Sequence, residues 1–249
     1  MNRSYCLLQL VLFKIHGDTV GSSIRRLGNM TKLELLRSKL PAHPGVHSED
    51  NNINTAVLVL LFFFKGEYHF VFQKRVPHIR QGGEICFPGG YRRPQDATFE
   101  QTAIRETVEE MGIPAEKLTV IGQLDTLITP LGVSVNAFVG VANIINLGEV
   151  TPNRDEVDRV FSVPVSYFKK HAPQKYETLL QVHPTIVDEK TGREIVLLPA
   201  RELGLPDKYT KPWGGVKHAI YVYKVEQGTI WGLTARIIID VVNKLNDWS

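Results

Sequence analysis

An α/β domain, with helices packed on a sheet, is the fold class that the sequence predicts. Three observations point to it. The run Thr55 to Phe64, TAVLVLLFFF, is almost continuously apolar and rich in branched and aromatic residues, as in a strand buried on both faces. Strand-like and helix-like segments are mixed along the rest of the chain. With 249 residues, 43% hydrophobic and 22% charged, the chain suits one globular domain with elaborations. The composition excludes wholesale disorder and collagen-like or low-complexity architectures. Lysine and arginine total 29 against 26 acids, a formal net charge of +3, which falls short of the basic bias of a domain built for phosphate backbones, so no nucleic-acid partner is expected. No apolar stretch reaches the roughly 20 residues of a membrane span, so no membrane partner is expected. Two cysteines, Cys6 and Cys86, make neither a disulfide framework nor a zinc pattern, and a reducing, cytoplasmic compartment is expected.

Residues 1–29 read as an N-terminal extension. Asp18 is the single acid there, Arg3, Lys14, Arg25 and Arg26 are basic, and the apolar run Cys6 to Phe13 is short and broken by Gln9, which leaves organelle targeting open. A single domain is expected over residues 30–249. Thr31 and Glu34 fit a capping box, the helix after them should stop before Pro41, and His43 to Asn54 reads as a polar loop. After the strand Thr55 to Phe64, Lys65-Gly66-Glu67 supplies a hairpin turn and Tyr68 to Lys74 a returning strand. A loop, Arg75 to Pro94, leads to a helix from Thr98 to Met111, with Thr98 and Gln101 as a second capping box and Gly112 as the left-handed residue that ends it. Strands follow at Leu118–Leu127 and Val133–Val141, and Val163-Pro164 opens a short helix near Tyr167. Lys169 to Gly215 is loop-rich, punctuated by Pro173, Pro184, Pro199, Pro206 and Pro212. A strand Val216–Lys224 and a helix from about Thr229 to Leu245 complete the reading.

The chemistry gathers on the helix after the glycines. Each residue of an α-helix turns by about 100°, so with Glu106 at zero, Glu110 falls near +40° and Glu109 near −60°. The three carboxylates share one face, with Ile104, Val108 and Met111 opposite, so the helix is expected to bury the apolar face and present the acids. Like charges this close repel one another; they form either a solvated acidic face or the ligand set of a divalent cation, since carboxylate oxygens suit magnesium and manganese. The context favours the cation: Gly89-Gly90 reads as a turn between a strand and a capped helix, a place where backbone can approach phosphate.

Gly90, Asp96 and Arg105-Glu106-x-x-Glu109-Glu110-x-Gly112-Ile113 resemble the Nudix box, the metal-binding motif of the Nudix hydrolases. The usual pattern has a glutamate eight residues before the arginine; Ala97 stands there, with the acid Asp96 one earlier. The coenzyme A pyrophosphatase branch is similar in this register. Phe72-Gln73-Lys74-Arg75, Arg80 and Gly83 through Phe87-Pro88-Gly89-Gly90 resemble its second signature, although Val76 replaces a serine or alanine and the spacing from Arg80 to Gly83 is one residue short. Asp155-Glu156-Val157 and Ile230 to Arg236 are also similar, and residues 171–217 look like an insertion.

The resemblance implies an α/β/α sandwich around a mixed sheet and a hydrolase of nucleoside diphosphate derivatives, dependent on Mg2+ or Mn2+ at Glu106, Glu109 and Glu110. Arg105 is implied to orient one of those acids, and Glu156 to serve as general base or to fix a loop. Arg75, Arg80, Gly89 and Gly90 are the candidates for binding a small-molecule substrate, with Arg92 and Arg93 as further loop cations. The branch implies coenzyme A or a derivative as that substrate, cleaved to 3′,5′-ADP and 4′-phosphopantetheine; ADP-ribose, a dinucleoside polyphosphate or a non-hydrolytic nucleotide-binding regulator are the alternatives. A homodimer is compatible with it. Cys86 reads as a small buried thiol, no histidine (His43 and His47 included) is assigned to a metal, and Trp231 and Ile238 are expected to pack the final helix.

Overall fold

A computed structural model describes residues 32–40 and 53–246 of the chain. The expectations for residues 1–29, the Thr31 cap, the stop before Pro41, the loop from His43 to residue 52, and His43 and His47 themselves lie outside the described residues. The chain divides into two compact units at residues 49 and 50. In the first, the described residues form helix α1 (Lys32–Lys39), with Glu34 in its first turn, where an acid suits the positive end of the helix dipole.

The second unit is built on an eight-stranded mixed sheet. Strand β1 (Ile53–Phe64) runs through its middle and turns through Lys65 and Gly66, at φ 50° and 89°, into β2 (Glu67–Arg75). Positive φ at both loop residues matches the right-handed twist of the paired strands, which is why this short hairpin places glycine there. Strand β2 pairs on its other side with β3 (Ile85–Cys86) and β8 (Val157–Pro164). Strand β1 also pairs antiparallel with β4 (Gly89–Tyr91) and parallel with β7 (Val133–Ala142), and β7 carries β5 (Leu118–Gln123) and β6 (Leu127–Ile128).

Both faces of the sheet are covered, so β1 has no polar side to show. Ala56, Leu58, Leu60 and Phe62 pack with Val71 against Ala103 and Met111 of helix α2 (Phe99–Met111). Val59 and Leu61 face the other way, with Phe70 and Phe72, toward Phe168 of α3 (Val165–Lys170) and Ile238, Val241 and Val242 of α4 (Gly232–Asn246). The period-2 alternation of a strand, buried on both sides, produces the unbroken apolar run and an α/β/α sandwich.

A three-stranded sheet in the order β13 (Gly228–Trp231), β12 (Trp213–Val225), β9 (Gln174–Val182) and a small hairpin of β10 (Thr185–Val187) with β11 (Glu194–Val196) complete this unit. They correct the expectation for the loop-rich stretch, which carries β9 (Gln174–Val182), β10 (Thr185–Val187) and β11 (Glu194–Val196). Eight of nine residues of β9 are exposed, so no buried face imprinted a period-2 pattern on it. Strand β12 spans Trp213–Val225, and β13 (Gly228–Trp231) takes the residues expected to open the last helix, which begins at Gly232. Strand β8 has no counterpart among the expected elements.

Helix α2 is fastened at both ends. The Thr98 hydroxyl accepts the Gln101 N–H at 3.1 Å, while the Gln101 side-chain oxygen accepts the Ala97 N–H at 2.8 Å, one residue upstream of a standard capping box. At the other end Gly112 (φ 64°) donates to Val108 O at 3.0 Å, and the Asn153 N–H donates to Glu110 O at 3.0 Å. A Cβ on Gly112 would lie 2.2 Å from Thr151 O. Gly112→Ala should therefore cost at least about 2 kcal/mol, from a left-handed non-glycine residue plus the clash, measured as a fall in urea midpoint at unchanged slope. An unchanged midpoint would show that this helix end does not need glycine.

Candidate active site

The acids of α2 are not all presented to solvent. Thr102, Ala103, Thr107, Glu110 and Met111 form the buried side, whereas Ile104 and Val108 are half-exposed, which overturns the expected orientation of the helix. Glu110 is 2% exposed, Glu106 is half-buried and Glu109 is exposed. A carboxylate in such a place must be hydrogen-bonded. The Gly89 N–H and the Gln73 side-chain amide both donate to Glu110 Oε2, at 2.9 and 2.8 Å, and Arg75 Nη1 donates to Oε1 at 3.3 Å. Burial nonetheless dominates these donors and pushes the Glu110 carboxyl up to about 7.

Gly89 and Gly90 make no turn. They lie in β4, opposite Val57 and Ala56 of β1, and neither has a positive φ. Space is what requires glycine here. A Cβ on Gly90 would sit 2.5 Å from Glu106 Cδ, and one on Gly89 would sit 2.4 Å from Ala56 O. The bare strand lets the Glu106 carboxylate lie flat against backbone.

Arg105 ties the acids together. Its Nε and Nη2 grip both oxygens of buried Asp96 at 3.0 and 2.8 Å, its Nη1 reaches Glu106 at 2.7 Å and Glu109 at 3.1 Å, and Nη2 also donates to Tyr91 O at 3.0 Å. The bidentate fit of guanidinium to carboxylate explains why an arginine holds this position. The Arg105 bonds, together with the Arg93 N–H and the Thr102 hydroxyl, hold the Asp96 carboxyl well below the usual range. Asp96 thus anchors the arginine that positions Glu106. Arg93 clamps both oxygens of Glu109 at 2.9 Å. Arg92 lies over the Phe99 ring, 4.8 Å from its centroid, and donates to Ala97 O at 2.9 Å, so it braces the start of the helix.

Of the other candidate residues, Arg75 rests on Glu110 and Arg80 donates to the Tyr91 hydroxyl at 2.6 Å. Glu156 is half-buried on the loop beside the end of α2; its carbonyl accepts the Val76 N–H at 3.0 Å. Sequence reasoning missed Gln73. It is fully buried, donates to Glu110 and weakly to Cys86 Sγ at 3.7 Å, and its Oε1 has no hydrogen-bond partner among the described residues. The available signal was a lone amide following the apolar Phe70-Val71-Phe72 on β2. Burial, and then the nearby Glu110 charge, push the Cys86 thiol up to about 12, so no thiolate nucleophile is available there.

A divalent cation suits this donor set. Glu106 and Glu110 offer hard carboxylate oxygens one helical turn apart, and the Glu110 carboxylate is already oriented by fixed donors. Among the described residues no group of three acid, histidine or cysteine side chains is gathered as a preformed cage. The reason is visible at Glu109, whose oxygens are held by Arg93 and Arg105.

Comparison with known proteins supports this architecture. The NUDIX domain matches residues 53–182. The Nudix hydrolase NudL of Yersinia enterocolitica is 32% identical over 206 residues, 82% of this chain and 86% of its own. Nudix hydrolase 3 of Caenorhabditis elegans is 36% identical over 158 residues, 60% and 65% of the two chains. The peroxisomal coenzyme A diphosphatase NUDT7 of Mus musculus is 36% identical over 154 residues, 57% of this chain and 56% of that protein. With the domain matched over more than half of its length and a relative aligned along most of it, the chain belongs to the Nudix family, as a hydrolase that acts on diphosphate bonds.

Proposed function

We propose that this protein hydrolyses the diphosphate of coenzyme A or a derivative, with Mg2+ or Mn2+, to 3′,5′-ADP and 4′-phosphopantetheine. The observation that carries the reading is the Glu110 carboxylate, buried and aimed by the Gly89 N–H, one helical turn from a Glu106 carboxylate laid against Gly90. The similarity to NUDT7 and the Phe87-Pro88-Gly89-Gly90 register support the choice of substrate. The free Cys86 thiol fits the reducing, cytoplasmic compartment read from the sequence.

Glu106 and Glu110 would hold the cation, and Glu109 would join once released by Arg93 and Arg105. The bound ion supplies charge neutralisation at the diphosphate and an acidified water. The chain's own residues do the positioning. Arg105, fixed by Asp96, orients Glu106; Gln73 and the Gly89 N–H orient Glu110. Arg75, which holds Glu110, would be free to contact the diphosphate if that carboxylate engaged a cation, and exposed Arg80 lies beside it. The Glu156 carboxylate has no hydrogen-bond partner among the described residues, which leaves it able to accept a proton from water.

Product analysis by mass spectrometry on a panel of diphosphates with Mg2+ or Mn2+ tests the reading: coenzyme A should be cleaved, and turnover of ADP-ribose without coenzyme A would reject it. Glu110→Gln should lower kcat on the order of 10²–10³-fold while the fold persists by circular dichroism. The same variant carries a stability signature in metal-free buffer. Glu110 is raised from 4.5 to about 7, so the folded state binds more protons than the unfolded state between those values. Wild-type stability should fall as pH rises through that window, by up to about 3 kcal/mol, whereas the glutamine variant should lack this component. Parallel pH profiles of Tm would contradict the burial argument. Gly90→Ala, which drives Glu106 from its bed, should reduce kcat on the order of 10²-fold with a much smaller loss of Tm.

A further inference from the structure

A cavity of about 670 Å3, within the range of small-molecule sites, lies against the three-stranded sheet and away from the acids of α2. Strand register defines its first wall. Tyr176 of β9 pairs with Ile220, and Trp231 and Thr229 of β13 pair with Val222 and Lys224 of β12. Cross-strand partners share a face, so Tyr176, Trp231 and Lys224 stand on the side opposite to Tyr223 and Ile230, which are buried in the core. The second wall is Lys74 and the segment from Gly82 to Ile85.

The groups lining this cavity have complementary chemistry. Trp231 is 45% exposed and Tyr176 54%, large aromatic surfaces without a core to cover them. Lys224 Nζ donates to Thr229 Oγ1 at 2.8 Å, and the Lys74 side chain makes no ion pair or hydrogen bond among the described residues. Among the described residues neither ammonium group forms an ion pair. Glu84, whose carboxyl burial pushes up, adds an acceptor suited to a hydroxyl or an exocyclic amine.

The wall of the cavity is hydrogen-bonded to a residue that holds one of the acids. Gly83 donates to Arg75 O at 3.0 Å and Glu84 O accepts the Arg75 N–H at 2.9 Å, so its wall is bonded to the residue whose guanidinium holds Glu110. Along β2, Gln73 and Arg75 face α2 whereas Lys74 faces the cavity. Arg75 and Arg80, the cations expected to serve phosphate, are engaged by Glu110 and Tyr91.

We propose that this cavity is the subsite for the 3′-phosphoadenosine end of the substrate, with the base on Trp231 and Tyr176 and the phosphate monoester between Lys74 and Lys224. The assignment rests on the substrate reading above only for the identity of the nucleotide. The Gly83–Arg75 hydrogen bond joins the wall of this subsite to the strand whose Arg75 and Gln73 hold Glu110.

Two measurements test it. In metal-free buffer, adenosine 3′,5′-bisphosphate should quench Trp231 fluorescence, a signal lost in Trp231→Phe. Lys74→Ala with Lys224→Ala should weaken that binding about tenfold or more, as expected for a lost charge-assisted contact, whereas the paired arginine substitutions should retain it. In kinetics, KM should be about tenfold lower for coenzyme A than for 3′-dephospho-coenzyme A, and the double alanine variant should bring the ratio toward one. Binding and a KM ratio indifferent to the lysines would overturn the subsite even if coenzyme A is cleaved. Lysine-dependent binding of the bisphosphate without cleavage of coenzyme A would uphold the subsite and overturn the substrate reading.

Discussion

The burial of one carboxylate, Glu110, between a helix and a sheet is the constraint on which the rest of the site depends. A charge at 2% exposure demands donors, and the fold provides them from three separate places: the Gly89 backbone on β4, and the Gln73 and Arg75 side chains on β2. Those donors are in place only if β2 and β4 take their register on the sheet and α2 lies across them. The apolar contacts of Ala103 and Met111 with Leu58, Leu60 and Val71 set that crossing, so the core positions the acid and the acid restricts how the core can be arranged.

Around this buried acid lies a layer of arginine–carboxylate pairs. Asp96, held well below the usual carboxylate range by Arg105, serves as a fixed anion that turns the guanidinium toward Glu106 and Glu109. Arg93 neutralises Glu109 from outside. The mutual repulsion expected of neighbouring glutamates is thus balanced by guanidinium groups in the protein itself.

The outer sheet of β9, β12 and β13 has a different character. One face of it buries Tyr223 and Ile230, while the other carries exposed aromatic and lysine side chains beside the Gly82–Ile85 segment. That segment is bonded to Arg75, whose guanidinium holds Glu110 on the acidic helix.

Much of this was legible in the sequence, for local reasons. The β1–β2 hairpin, the capped helix α2, its glycine end and the identity of the acids follow from apolar runs, Lys65-Gly66, Thr98, Gly112 and the spacing of Glu106, Glu109 and Glu110, all of which act within a few residues. The rest depended on contacts between distant segments. Helical periodicity places three glutamates on one face, yet which face turns inward was decided by partners 21 to 37 residues upstream, Gly89, Arg75 and Gln73. The glycine pair looked like a turn because chain flexibility and a demand for space write the same residue, and the Glu106 side chain that claims the space is brought there by folding. Strand β9 left no pattern because it buries neither face, and pairing with β12, about 40 residues later, made it a strand. Sequence by itself determined which groups could do chemistry; tertiary structure decided which are buried, what they are bonded to and therefore how they are charged, because solvation and long-range hydrogen bonds exist only once the chain has closed on itself.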